Sequence, residues 1–221
     1  MRKIVLFASM FFYLHFAMGQ ERVLATFEQQ SMIENEIANS AKKMNNMICD
    51  FEQIKQSSLL SEDAVLHGKM FYRINADTSL PSVKSSASLR WEYEDGYTFI
   101  YDNDAMQVLS SDNKPLNNIK MNRFFKEIMG TMMMVINGNG MNDKSKFTAT
   151  YHIDNDYWYI VLNPMQREVK NMFSLIELVF STRDYTGERI EITEKSGDKT
   201  IITLQNKKLN TKIADEKFLI K

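Results

Sequence analysis

Leu89-Arg90-Trp91-Glu92-Tyr93, Glu94-Asp95-Gly96, Tyr97-Thr98-Phe99-Ile100-Tyr101 is the stretch on which the reading of the fold turns. Two runs of alternating character flank a turn that ends in glycine, the pattern of a β-hairpin. With a three-residue loop and Gly96 in the left-handed conformation, Tyr93 faces Tyr97, Trp91 faces Phe99 and Leu89 faces Tyr101. A two-residue Asp95-Gly96 loop would scatter these rings over both faces, because a one-residue slip reverses the side of every side chain. The three-residue loop is preferred, since it gathers the rings on one wall. The commoner fate of such a stripe is an ordinary sandwich core, so the hairpin alone predicts a sheet with one aromatic face.

Outward from the hairpin, strands dominate. Alternating or apolar runs fall at about 47–56, 65–74, 87–94, 97–102, 106–110, 146–154, 157–163, 174–182, 187–195 and 199–205. Short turns such as Asn103-Asp104, Asn155-Asp156, Thr186-Gly187 and Gly197-Asp198 join most of them, which predicts an antiparallel meander. The segment from Asn75 to Ser88, with Pro81 and five serines, reads as a solvated loop. A helical period comes first: Phe27, Ile33, Ile37, Ala41, Met44, Ile48 and Phe51 recur at roughly threes, fours and sevens, predicting a helix over about Glu28 to Asn46.

The N-terminus reads as an export signal. Arg2 and Lys3 precede an apolar run from Ile4 to Met18, and Ala17-Met18-Gly19 puts small residues where a signal peptidase needs them, before Gln20. The run falls short of the roughly 20 residues that span a bilayer. Residues 1–19 are therefore expected to be removed, leaving a single domain over 20–221 and a periplasmic location. The mature chain keeps 25 basic residues against 28 acidic ones, so nucleic acid is not indicated. Cys49 is the only cysteine, which rules out an intramolecular disulfide. Stability must come from the core, and Ile48 and Phe51 beside Cys49 suggest a buried thiol with no chemical role.

One segment interrupts the meander. From Asn118 to Ile136, Ile119, Met121, Phe124, Phe125, Ile128, Met129, Met132, Met133 and Ile136 oppose Lys120, Asn122, Arg123, Lys126 and Glu127, an amphipathic helix closed by Asn137-Gly138-Asn139-Gly140. Methionine and phenylalanine adapt to irregular shapes. Such a face suits a lid over a cavity; the plainer reading is a helix packed permanently on the sheet.

Phe51-Glu52-Gln53-Ile54-Lys55 after a first helix, Gly68-Lys69-Met70-Phe71-Tyr72, Leu89-Arg90-Trp91-Glu92-Tyr93, Ile176-Glu177-Leu178-Val179-Phe180, Thr200-Ile201-Ile202-Thr203-Leu204 and Asn210-Thr211-Lys212-Ile213 before Phe218 together resemble LolA, the periplasmic carrier of outer-membrane lipoproteins. The ordered set covers nearly all of the mature chain. The resemblance implies a mainly β, α+β fold: an open, unclosed antiparallel barrel of about eleven strands with a helical lid over a hydrophobic cavity that receives lipoprotein acyl chains. It places Phe71, Leu89, Trp91, Tyr93, Phe99 and Tyr101 on the cavity wall, and Met121, Phe125, Ile128, Met129, Met132 and Ile136 on the lid. The family's carrier holds its lid with an arginine six residues after the strand glycine; here that position is Ile74, and Arg73 beside it is the candidate latch. The implied partners are an inner-membrane lipoprotein-releasing ABC transporter and an outer-membrane acceptor, with a monomeric carrier and no cofactor.

An enzyme is not expected. After cleavage only His67 and His152 remain, neither in a zinc-binding spacing, and no Gly-x-Ser-x-Gly elbow occurs. Glu92 and Glu94 share a strand face and could imitate a glycosidase pair, but carboxylates on a single strand are usually its solvated side. Two non-enzymatic alternatives stand beside the carrier: a lipid-sensing or envelope-stress module on the same scaffold, and a structural envelope subunit.

Overall fold

The computed structural model describes residues 21–75, 86–102, 105–116, 133, 136 and 145–220. The first helix, α1 (Phe27–Lys43), begins with a reciprocal cap: Gln29 N donates to Thr26 Oγ1 and Thr26 N donates to the Gln29 side chain. Ile33 and Ile37, one turn apart, supply its buried stripe. The helix stops at Lys43, short of the predicted Asn46, because the next residues are claimed by the sheet. Asn45 N donates to Asn210 Oδ1 at 2.7 Å, Ile74 N to Asn45 O at 2.8 Å and Asn210 N to Asn46 O at 3.0 Å.

Eleven strands follow the predicted order with one addition. They are β1 (Val23–Leu24), β2 (Asn46–Gln56), β3 (Ala64–Asn75), β4 (Ser86–Tyr93), β5 (Thr98–Asp102), β6 (Ala105–Leu109), β7 (Phe147–Ile153), β8 (Tyr157–Pro164), β9 (Phe173–Ser181), β10 (Gly187–Glu194) and β11 (Lys199–Leu209). The two-residue β1 is too short to carry a sequence period. Every pairing is antiparallel, in the order β1-β7-β8-β9-β10-β11-β2-β3-β4-β5-β6. The order departs from a meander at two places, where β11 returns to pair with β2 and where β1 pairs with β7. Among the described residues β1 and β6 stand at opposite ends of the order and do not pair, so the sheet is unclosed.

The predicted hairpin register is the one observed. Leu89 pairs with Tyr101 and Trp91 with Phe99, Tyr93 N donates to Tyr97 O, and Gly96 closes the turn at φ +94°. A side chain there would be strained by that φ and would also meet Ser111 Cβ at 2.7 Å.

One face of the sheet is largely apolar. Met47, Cys49 and Phe51 of β2, Met70 and Tyr72 of β3, Leu89 and Trp91 of β4, Ile160 and Leu162 of β8, Ile176, Leu178 and Phe180 of β9, Ile190 and Ile192 of β10, and Ile202 and Leu204 of β11 form one buried cluster with Ile33 and Ile37. Two wings of a sheet can share a cluster with one helix only if the sheet curls around it. The concave side is therefore the core, and α1 lies within it. A short helix, α2 (Arg167–Lys170), links β8 to β9 and contributes Val169 to the same cluster. On the opposite, convex face a 3-10 turn at Asp215–Phe218 packs against β4 and β5 and buries Phe218.

Candidate functional site: the concave aromatic wall

The wall is assembled by period-two alternation across the adjacent strands β2 to β5. Trp91 on β4 is 1% exposed and stacks on Phe51 of β2, with ring centroids 3.9 Å apart and planes 25° from parallel. Tyr93 meets Phe51 edge-on at 5.2 Å, and Phe99 at 5.9 Å. Tyr101 and Phe99 are partly buried against the same cluster. Leu89, Trp91, Tyr93, Phe99 and Tyr101 thus lie on one concave face.

Phe51 was missed as a wall residue, although the sequence carries its signal in Gly68. Phe51 must cross β3 to reach Trp91, and it does so over Gly68, where a side-chain carbon would lie 2.4 Å from Phe51 Cζ and 2.0 Å from Glu92 O. A glycine inside a strand marks just such a close approach.

Phe71, expected on this wall, is on the other face. Alternation along β3 sends Met70, Tyr72 and Ile74 inward, and Phe71 outward to where the Lys217 ammonium sits 4.4 Å from its ring centroid. Arg73 follows Phe71 outward: it pairs with Asp215, donates from Nε to Asn75 Oδ1 at 3.2 Å, and lies 4.6 Å from the Phe218 ring centroid. The candidate latch is therefore committed to the C-terminal turn on the convex face, away from the concave side. Of the predicted lid residues, Ile136 is 5% exposed and belongs to the central cluster, with Met133 packed against it. Met121, Phe125, Ile128, Met129 and Met132 lie outside the described residues, as do residues 1–20.

The second wing adds Trp158, stacked on Tyr185 at 5.1 Å, and Tyr151, whose hydroxyl donates to Glu34 on α1 at 2.6 Å. Ser40 ties the far end of α1 to the β9–β10 turn by donating to Asp184 O at 3.0 Å. Asn210 Nδ2 donates to Lys43 O at the helix end at 3.0 Å, so α1 meets the sheet through apolar contacts and these polar ties. A void bounded by Ile37, Met44, Met47, Leu204, Tyr185 and Ile136 holds about 10 Å³, close to the room one water molecule needs.

Burial sets the wall's electrostatics. Tyr93 donates to Gln53 Oε1 at 2.9 Å, and desolvation pushes its phenol up to about 12. The buried Trp91 Nε1–H lacks a partner of hydrogen-bond geometry among the described residues, although it lies near enough to the Tyr93 oxygen to favour phenolate slightly. Desolvation likewise pushes the Cys49 thiol up to about 12, which keeps it protonated and unreactive.

A pH prediction follows. The folded chain holds the Tyr93 proton that the unfolded chain releases near pH 10, so the contribution is complete below pH 10 and is lost as pH rises towards 12. Urea unfolding at pH 9 and 11.5 should show Tyr93→Phe losing less stability than the unmodified chain, by on the order of 2 kcal/mol. Equal losses in the two proteins would contradict the burial argument.

Among the described residues the sheet is curled and unclosed, with an aromatic inner wall and α1 laid within it. Residues 83–221 match the family model of the outer membrane lipoprotein carrier protein LolA, and the chain belongs to that family. No curated protein sequence matches it. Among solved structures, MucB aligns with TM-score 0.51 at 8% identity, covering 86% of this chain and 62% of MucB. The MucA/MucB complex of Pseudomonas aeruginosa aligns at 0.50 and 8% identity, over 86% and 60% of the two chains. The lipoprotein LppX of Mycobacterium tuberculosis aligns at 0.42 and 13% identity, over 83% and 98%. The chain thus spans about six tenths of the length of MucB.

Proposed function

We propose that the protein is an exported, periplasmic, non-catalytic carrier that takes lipoprotein acyl chains against its concave wall and moves them from the inner to the outer membrane. The observation that carries this reading is the concave cluster itself. Its inner face is covered by a single helix, held by apolar packing and by side-chain hydrogen bonds at Glu34, Ser40 and Lys43, where a second sheet would form a permanent sandwich.

Hiding an acyl chain of about 15 methylenes from water is worth roughly 12 kcal/mol at ~0.8 per CH₂, so a lipoprotein needs a protein surface to cross an aqueous compartment. Because the described wall residues are already buried in one cluster with α1, cargo must replace contacts that the chain makes with itself. That exchange lowers net affinity and favours release, as a shuttle requires. The inner-membrane releasing transporter and the outer-membrane acceptor belong to this reading as partners.

A fluorescent fatty-acyl probe tests it. In a Trp158→Phe protein, Trp91 is the remaining indole of the mature domain, and probe binding should quench or shift its emission. Bound probe with unchanged emission would remove Trp91 from the site; no binding at all would remove the lipid reading.

The likeness to MucB favours a second reading, a lipid-sensing module on the same scaffold, since one MucB structure is of a complex with MucA(peri). Transfer of a lipoprotein from inner-membrane vesicles to outer-membrane vesicles separates the two: a carrier completes it, and a sensor binds lipid without delivering it.

A further inference from the structure

The concave face is not uniformly apolar. Register places Lys55 opposite Thr200, Gln53 opposite Ile202, and Phe51 opposite Leu204, while Thr200 pairs in turn with Ile192. Since Ile192, Ile202, Leu204 and Phe51 all belong to the inner cluster, Lys55, Gln53 and Thr200 share their side of the sheet. Glu194, two residues beyond Ile192, falls on the same side and pairs with Lys55; their side chains are only 28% and 22% exposed. Along β2 the inner positions therefore run Lys55, Gln53, Phe51, Cys49, Met47, from charged through polar to apolar, over roughly 26 Å at about 3.3 Å per residue.

Thr200 is the residue this gradient does not explain by itself. It is 2% exposed, and its hydroxyl has no hydrogen-bond partner among the described residues. Valine has the same shape and would fill the position without burying an unsatisfied donor. A buried polar atom without a partner among the described residues, at the polar end of an otherwise apolar wall, fits a ligand group that supplies the missing acceptor.

We propose that the end of the concave face formed by Thr200, Gln53 and the Lys55–Glu194 pair is a subsite for the carbonyl-bearing linkage, ester or amide, that joins acyl chains to their head. The inference rests on the lipid-binding reading and adds an orientation to it: the linkage sits at Thr200, and the chains run towards Phe51 and Trp91. A dipolar linkage placed there meets a hydroxyl donor and a charged pair.

The test compares a diacylglycerol with the dialkyl ether of equal chain length, which has no carbonyl, on the full mature chain. The native protein should bind the diacyl form about tenfold more tightly, the worth of one hydrogen bond. Thr200→Val should bind both alike while melting no lower than the native protein, and Thr200→Ser, which keeps the hydroxyl, should retain the preference. Equal affinities in the native protein, or a preference that survives in Thr200→Val, would overturn the subsite and leave lipid binding standing. Absence of binding by either lipid would overturn the lipid reading and the subsite with it.

Discussion

Replacing Trp91 by alanine should lower stability by about 3–5 kcal/mol, the usual cost of removing a large buried aromatic side chain, and should abolish retention of acyl probes. Trp91 is the centre of the wall: Phe51 stacks on it, Tyr93 approaches it edge-on at 6.4 Å, and Phe99 is its cross-strand partner. With alanine there, Phe51 loses its stacking surface and Tyr93 one of its neighbours. For a domain of this size each kcal/mol moves Tm by roughly 2–4 °C, so the melt should fall by about 6–20 °C. Trp91→Phe keeps an aromatic face towards Phe51 and should lose less than half as much. If the alanine variant melted within 2 °C of the native protein, the central position of Trp91 would be wrong.

Gly68→Ala should be nearly as damaging, although it adds only a methyl group. The new carbon would stand 2.0 Å from Glu92 O and 2.4 Å from Phe51 Cζ, and the first of these is backbone that cannot move without parting β3 from β4. Overpacking of this kind costs about 1–3 kcal/mol where side chains can yield, and more where the obstacle is main chain. A loss of about 3 kcal/mol or more in urea unfolding is expected. Shortening Phe51 to leucine in the same chain should recover only part of it, since the clash with Glu92 O remains. Full recovery in the double variant would show that the ring alone imposes the glycine.

These two residues also show where reading the sequence succeeds and where it stops. Leu89, Trp91, Phe99 and Tyr101 could be placed on one face from their order alone, because a hairpin is local: Gly96 sets the loop and period two does the rest. The strand positions, the antiparallel pairing of neighbours and the first helix are local in the same sense. Gly68 was visible within a strand, but that it answers to Phe51 required knowing that β2 and β4 flank β3.

Which face is concave is decided by long-range pairing. Phe71 and Tyr72 are neighbouring aromatic residues, and nothing near them in sequence says that one turns inward. The choice is made by Lys217 and Phe218, some 146 residues away, which cover the convex side at Phe71 and Arg73, and by α1, which occupies the other. The same distance hid the commitment of Arg73 to Asp215 and the ending of α1 at Lys43, where Asn210 captures Asn45.

By itself, the sequence of this protein determined what periodicity and turn chemistry can write: ten of its strands, their antiparallel order, the register of the aromatic hairpin and a buried thiol. Only the tertiary structure decided that β11 closes back on β2, that Phe51 belongs to the wall and Phe71 does not, and that Thr200, on the concave side, has no hydroxyl partner among the described residues. The physical reason is that alternation sorts side chains into two sets, whereas the identity of the inner set depends on which distant segments pack against each face.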